Sequence, residues 1–202
     1  MDIIRLATSE DRSALIEICL LTGDSGRDAN GLFNEKQMLG NYYVRPYLEN
    51  DPDCAFVLNQ TGQVTGYALA TLNTNTFNKY LDEEYLPLLR EEYLPRIGSF
   101  TATEKDLWGL YTSKRSSDLE FLKNYPSELH INLLPEAQGH GFGRALMEKL
   151  LGALKAAGSP GVHLTLNAEN QGAFGFYQRL NYQELGRDID SITMGISLTD
   201  LR

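Results

Sequence analysis

Apolar positions along the chain switch repeatedly between a two-residue and a three-to-four-residue period, which marks alternating strands and helices. Residues 3–7 (IIRLA) read as a first strand. Thr8 with Asp11 forms a capping box, Ser9 being the other candidate cap, and Leu15, Ile16, Cys19 and Leu20 then repeat at helical spacing to about Leu21. The polar run 22–28 (TGDSGRD) stops that helix and is either a surface turn or a loop on the substrate side. Residues 35–48 carry Met38, Leu39, Tyr42, Tyr43 and Tyr47 at helical spacing, with Pro46 placed to kink or end the helix. Runs 54–58 and 64–72 are β-like and flank Asn59-Gln60-Thr61-Gly62, a hairpin signal with Gly62 suited to positive φ. Gly66 inside the second run predicts a bulge or a close backbone approach.

Residues 74–127 have a different texture and read as a helical insertion. Glu83-Glu84-Tyr85-Leu86-Pro87 is echoed by Glu91-Glu92-Tyr93-Leu94-Pro95, and two short amphipathic helices are expected to pack through Leu81, Tyr85, Leu88, Leu89 and Leu94. Ser117 with Glu120 predicts a further capped helix, and Trp108 and Tyr111 are packing residues or part of a pocket wall. Strand-like residues 129–134 then pass through Pro135 into a glycine-dense turn and a helix over 144–157. A strand at 162–166, a short helix at 173–180 and strands at 182–185 and 192–198 complete the chain. The order β, α, α, β, β, insertion, β, α, β, α, β, β predicts an α/β (α+β) domain spanning residues 1–202, a mixed sheet with helices on its faces.

Composition narrows the function classes. At 202 residues, 42% apolar and 22% charged, the chain has the profile of a soluble domain. A net charge of −9 argues against nucleic-acid binding, which needs a basic stripe. It does not forbid an anionic ligand held by backbone N–H groups. Cys19 and Cys54 sit in apolar surroundings and read as buried thiols. With neither a signal peptide nor a membrane-spanning run, a cytoplasmic protein without a membrane partner is expected, as monomer or homodimer. Asn59-Gln60-Thr61 matches a glycosylation acceptor, and in a cytoplasmic protein it is only a turn.

The chemistry concentrates in Gln138-Gly139-His140-Gly141-Phe142-Gly143. The turn comes too late, and with the wrong spacing, for a dinucleotide fingerprint; no lysine follows it as in a P-loop. His130, His140 and His163 are too scattered for a metal site. Gln138-x-x-Gly141-x-Gly143 before a helix, with Asn170-x-x-Ala173-x-x-Phe176-Tyr177-x-x-Leu180-Asn181-Tyr182 after the next strand, resembles the GNAT superfamily of N-acetyltransferases. Within it, HINLLPEAQGHGFG and FYQRLNYQEL look most similar to bacterial relatives of the acetyltransferase-like C-terminal domain of animal O-GlcNAcase. That animal domain is regarded as having lost cofactor binding, whereas this chain keeps the glycines.

The resemblance implies a mostly antiparallel sheet with a splayed parallel central strand pair, helices on both faces, and acetyl-CoA as cofactor. Ile131, Asn132, Leu133 and Leu134 would face the pantetheine arm. Gln138, Gly139, His140, Gly141, Phe142, Gly143 and Arg144 would surround the pyrophosphate, with Asn170, Ala173 and Tyr177 beyond. Tyr177 is the implied acid. Glu128 or His130 is the candidate base, because Thr165 and Asn132 stand where relatives carry carboxylates. The expected reaction is direct acetyl transfer to a small-molecule amine or a peptide lysine. The alternative is an acyl-CoA-binding or sensing module without turnover.

Overall fold

Both faces of the central strands are apolar, so the sheet they build must be covered twice. In β2 (Ala55–Gln60) and β3 (Gln63–Thr71), Ala55, Val57, Tyr67 and Leu69 enter one core while Phe56, Leu58, Ala68 and Ala70 enter the other. A computed structural model describes residues 3–115 and 119–199. The remaining strands are β1 (Ile3–Leu6), β4 (Ser127–Leu133), β5 (Gly161–Asn167), β6 (Gln183–Arg187) and β7 (Ser191–Ser197). They form one sheet in the order β1-β2-β3-β4-β5-β7-β6. Among the described strands, β4 and β5 are the parallel neighbours and every other pairing is antiparallel.

One face carries α1 (Arg12–Leu21), α2 (Met38–Tyr43), α3 (Arg45–Asn50) and, between β3 and β4, α4 (Thr74–Tyr80), α5 (Leu86–Tyr93) and α6 (Ala102–Thr112). The other carries α7 (Phe142–Ala156) and α8 (Gln171–Arg179). α7 lays Leu146, Met147, Leu150 and Leu154 on the sheet, each at most 1% exposed. Burying one such side chain is worth about 1.5–3 kcal/mol. No described helix is long and apolar enough to cross a membrane.

The expected capping box is present: the Thr8 N–H donates to Asp11 at 2.8 Å. Arg5 grips the same carboxylate with two bonds of 2.7 Å each. That hydrogen-bonded guanidinium, helped by Thr8, holds Asp11 at about 2, below its ordinary 3.8. A depressed folded-state pKa stabilises the protein above the unfolded value and loses that stabilisation as pH falls toward the folded one. Asp11→Asn is therefore expected to cost about 1–2 kcal/mol at neutral pH, the scale of a lost helix cap. It should also flatten the melting-temperature loss between pH 4 and pH 2; an unchanged acid slope would remove Asp11 from the account.

The predicted helix over 35–48 is two helices. Run straight through, Pro46 would collide with the Tyr42 carbonyl, and the chain breaks at Val44, leaving Pro46 in the first turn of α3. Pro87 meets the same problem, and a π-helical turn, Leu81–Tyr85, widens the backbone ahead of it. The echoed segments act together: the Tyr85 phenol donates to the Asn41 carbonyl (2.6 Å), and the Asn41 side chain donates to the Tyr93 phenol (2.9 Å). Leu81, Tyr85 and Leu89 are buried as expected, but Leu88 is 68% and Leu94 63% exposed. Leu88 is turned about 100° from Leu89 on the helix, and Leu94 begins the 3₁₀ turn after it. The Ser117 cap lies outside the described residues; a 3₁₀ turn, Glu120–Lys123, follows it.

Thr61 and Gly62 both have positive φ in the β2–β3 turn, with Asn59 accepting the Gly62 N–H. The register slips between Leu58 and Asn59, and a Cβ on Gly66 would lie 2.9 Å from the Leu133 side chain. Bulge and close approach therefore occur together.

Candidate active site

β4 and β5 are in register at only two positions, Ser127 with Val162 and Glu128 with His163. Beyond these, β4 stays on β3 as far as Leu133 and β5 stays on β7 as far as Asn167, so their facing edges part. Pro135 cannot donate to a ladder, and the Leu134 N–H turns to Thr65, away from β5. A cavity of about 1510 Å³ occupies the split and runs on past the end of α1.

At its mouth the Gln138 amide donates to the Leu133 carbonyl at 2.9 Å and closes the turn. Gly139 and Gly141 adopt φ of +78° and +84°, and a Cβ on either would meet only open space. Glycine is required there by backbone conformation. Gly141 is the N-cap of α7 and brings no side-chain cap, so the first-turn N–H groups have no acceptor within the helix. Arg144 lies in that turn and lines the cavity. Unpaired N–H groups, the positive end of a 15-residue helix and a guanidinium make an anion seat.

On the far wall, the Asn170 side chain caps α8 by accepting the Ala173 N–H at 3.0 Å. Tyr177 lines the cavity from the same helix and is 7% exposed. The opposite face of β4 presents His130 and Asn132. His130 Nε2 lies 3.1 Å from the Tyr47 hydroxyl, with the Tyr43 and Tyr47 rings edge-on to the imidazole. Burial lowers the His130 pKa below 6.5, so the ring is neutral at pH 7.

Residues 27–182 match the acetyltransferase (GNAT) family. The chain belongs to that family. SsHAT, known from a crystal structure, is 33% identical with 98% of each chain covered and a TM-score of 0.90. Protein O-GlcNAcase of Rattus norvegicus is 26% identical over 203 residues, covering 96% of this chain. The chain spans only 22% of the length of that relative. The fold is also shared with yncA of Salmonella typhimurium, solved with its cofactor acetyl-CoA, at a TM-score of 0.55 and 17% identity.

Of the site residues expected in this GNAT chain, the cavity brings together His130, Ile131, Asn132, Leu133, Gln138, Gly139, Gly141, Gly143, Arg144, Asn170, Ala173 and Tyr177. Four others stand off the wall. Glu128 is the last residue of the in-register pair and sits at the closed end of the split. Leu134 has turned toward the core under α1–α3, His140 is exposed, and Phe142 packs half-buried against the α7 core. Trp108 and Tyr111 are packing residues: Tyr111 is fully buried with its phenol on the Met38 carbonyl, and Trp108 stacks on it.

Asn132 is held at both ends of its amide. Tyr67 donates to its oxygen at 3.0 Å, and its nitrogen donates to Thr22 at 2.6 Å, whose own hydroxyl donates to the Ile18 carbonyl. The amide uses both its acceptor and its donor here, whereas an aspartate would need the Thr22 hydroxyl to turn from Ile18 and donate to it. The 22–27 loop and the Thr103, Asp106, Leu107 and Leu110 face of α6 also line the cavity. The capping box Thr101-x-x-Glu104 was the readable signal for α6. Cys19 is on the wall too, but burial pushes its thiol up to about 12, as it pushes Cys54 to about 11.

Proposed function

We propose that this protein is an acetyl-CoA-dependent N-acetyltransferase that moves the acetyl group directly to an amine, without a covalent enzyme intermediate. The parting of β4 and β5 after two paired positions carries this reading, because it exposes strand edge in the interior beside an anion seat. The pantetheine amides can add to the free edge of β4 as a short pseudo-strand. Gly139, Gly141, Gly143 and the first N–H groups of α7 fit a pyrophosphate, the left-handed glycines allowing the close backbone approach it needs. When bound, acetyl-CoA supplies an acyl group activated as a thioester and a thiol as leaving group.

The residues then divide the proton work. Tyr177, kept protonated by burial, holds a proton at Oη that a departing thiolate can take up. His130, kept neutral by burial, holds a lone pair at Nδ1 when its Nε2–H donates to Tyr47. A β4 N–H can polarise the acyl carbonyl. Cys19 and Cys54 are protonated at any working pH and serve no nucleophilic step.

The deciding experiment incubates the protein with acetyl-CoA and a panel of amines and follows free thiol. Amine-dependent release supports transfer; tight acetyl-CoA binding with no release under any amine would favour a sensing module; amine-independent release would mean a thioester hydrolase. If His130 is the base, kcat/KM falls on the acid side with a midpoint below 6.5. His130→Asn should remove that limb, and a limb that persists would assign it elsewhere. The same depressed pKa makes folding stability highest above 6.5 and lowers it as pH drops from there toward the folded-state value.

A further inference from the structure

The cavity has a second half that the split between β4 and β5 does not use. Its wall is Leu32 and Phe33 before α2, Leu107 and Leu110 of α6, and the 22–27 loop. The whole cavity, about 1510 Å³, exceeds the roughly 300–1,000 Å³ of a single-ligand pocket, which leaves room for two reactants. We propose that this half is the acceptor subsite and that it takes a primary amine on an unbranched or aromatic apolar body, an alkylamine or aralkylamine. The assignment of an acceptor rests on the transfer reading above; the ligand chemistry rests on the wall.

Two features define that chemistry. Leu32 and Leu110 leave 41% and 42% of their surface exposed at the cavity, in front of buried Phe33, Leu39 and Leu107. Apolar surface held wet at a cavity rim gains free energy only when an apolar ligand covers it. The charges are complementary to an ammonium group: Asp24 and Asp106 line this half, and its Arg27 guanidinium is already paired with Asp24 at 3.0 Å. Among the described residues Asp106 forms no ion pair.

The wall is also built in advance. The Thr101 hydroxyl donates to the Leu32 carbonyl (2.8 Å), the Asn34 amide donates to the Ser99 carbonyl (3.0 Å), and buried Glu104 accepts the Glu35 N–H (2.5 Å). These bonds clamp α6 to residues 32–35, so the excursion between β3 and β4 and the segment before α2 form one surface. On the opposite side, the Thr22 bond to Asn132 ties the 22–27 loop to the strand that carries His130.

The test measures thiol release with n-alkylamines from ethylamine to octylamine, phenethylamine, spermidine and a lysine peptide. Expected is a rise in kcat/KM of about four-fold per added methylene until the subsite is full, the factor given by transferring one CH₂ out of water. Leu110→Asp should flatten that series while leaving acetyl-CoA affinity unchanged. Leu88→Asp, at a more exposed leucine off the cavity, should leave it intact. A flat series, a preference for spermidine or the peptide, or an indifferent Leu110→Asp would overturn the proposal. Calorimetric binding of hexylamine to the wild type and to Leu110→Asp reports on the subsite by itself. Hexylamine binding lost in Leu110→Asp supports the subsite even if no amine is acetylated, which would sink the transfer reading alone; absent or unaffected binding overturns the subsite.

Discussion

Gly141→Glu is expected to weaken acetyl-CoA binding by a few hundred-fold while leaving the protein folded. Gly141 sits at φ +84° as the N-cap of α7, and its missing Cβ points into open space. A side chain there meets no atom, so the structural cost is the left-handed backbone, about 1–2 kcal/mol. The electrostatic cost is larger. A carboxylate about 5 Å from one phosphate charge, at an effective dielectric near 20, opposes it by about 3 kcal/mol, more than a hundred-fold in affinity. It would also occupy the N–H groups meant for the phosphate. Gly141→Ala separates the two effects, since it carries the same strain without the charge and should bind within about ten-fold of wild type, a difference of about 1.4 kcal/mol. Calorimetric titration of both variants decides the matter: a glutamate variant that binds acetyl-CoA as tightly as the alanine one would place the pyrophosphate somewhere other than this turn.

That turn was legible because its signals are local. Glycines at 139, 141 and 143, Pro135 before them and the Leu146, Leu150, Leu154 stripe behind them lie within one β-turn-α unit. The Thr8–Asp11 box and the Thr61-Gly62 hairpin were readable for the same reason. What stayed hidden depends on distant partners. Asn132 looked like a missing acid, but its neighbours are Tyr67 and Thr22, the latter 110 positions earlier, and they engage both ends of its amide. Glu128 shares a strand face with His130 yet misses the cavity, because the strands part only after it, which no one-strand pattern can reveal. Trp108 and Tyr111 drew attention by size, while Leu107 and Leu110 of the same helix reach the cavity. Helical periodicity identifies a face; it does not say what that face meets.

Tyr177→Phe should lower kcat by about a hundred-fold, the low end of what a positioned general acid contributes. Acetyl-CoA affinity and thermal stability should barely move. The side chain is 7% exposed and its ring packs 5.2 Å from Phe176 and 5.3 Å from Tyr182, contacts that phenylalanine keeps. Among the described residues the phenol has no hydrogen-bond partner whose loss would destabilise the fold, so the hydroxyl is free to serve a bound group. Burial raises its pKa above the ordinary 10, which makes the phenol a reservoir of a proton at every working pH and predicts no alkaline loss of activity from its ionisation below pH 10. The leaving sulfur decides whether that proton matters. An alkyl thiolate is a poor leaving group that gains from protonation, whereas an aryl thiolate departs unaided. The gap between wild type and Tyr177→Phe should therefore shrink when an aryl thioester donor replaces acetyl-CoA. An equal gap with both donors would assign Tyr177 to positioning, and no gap with either would make it a packing residue of α8.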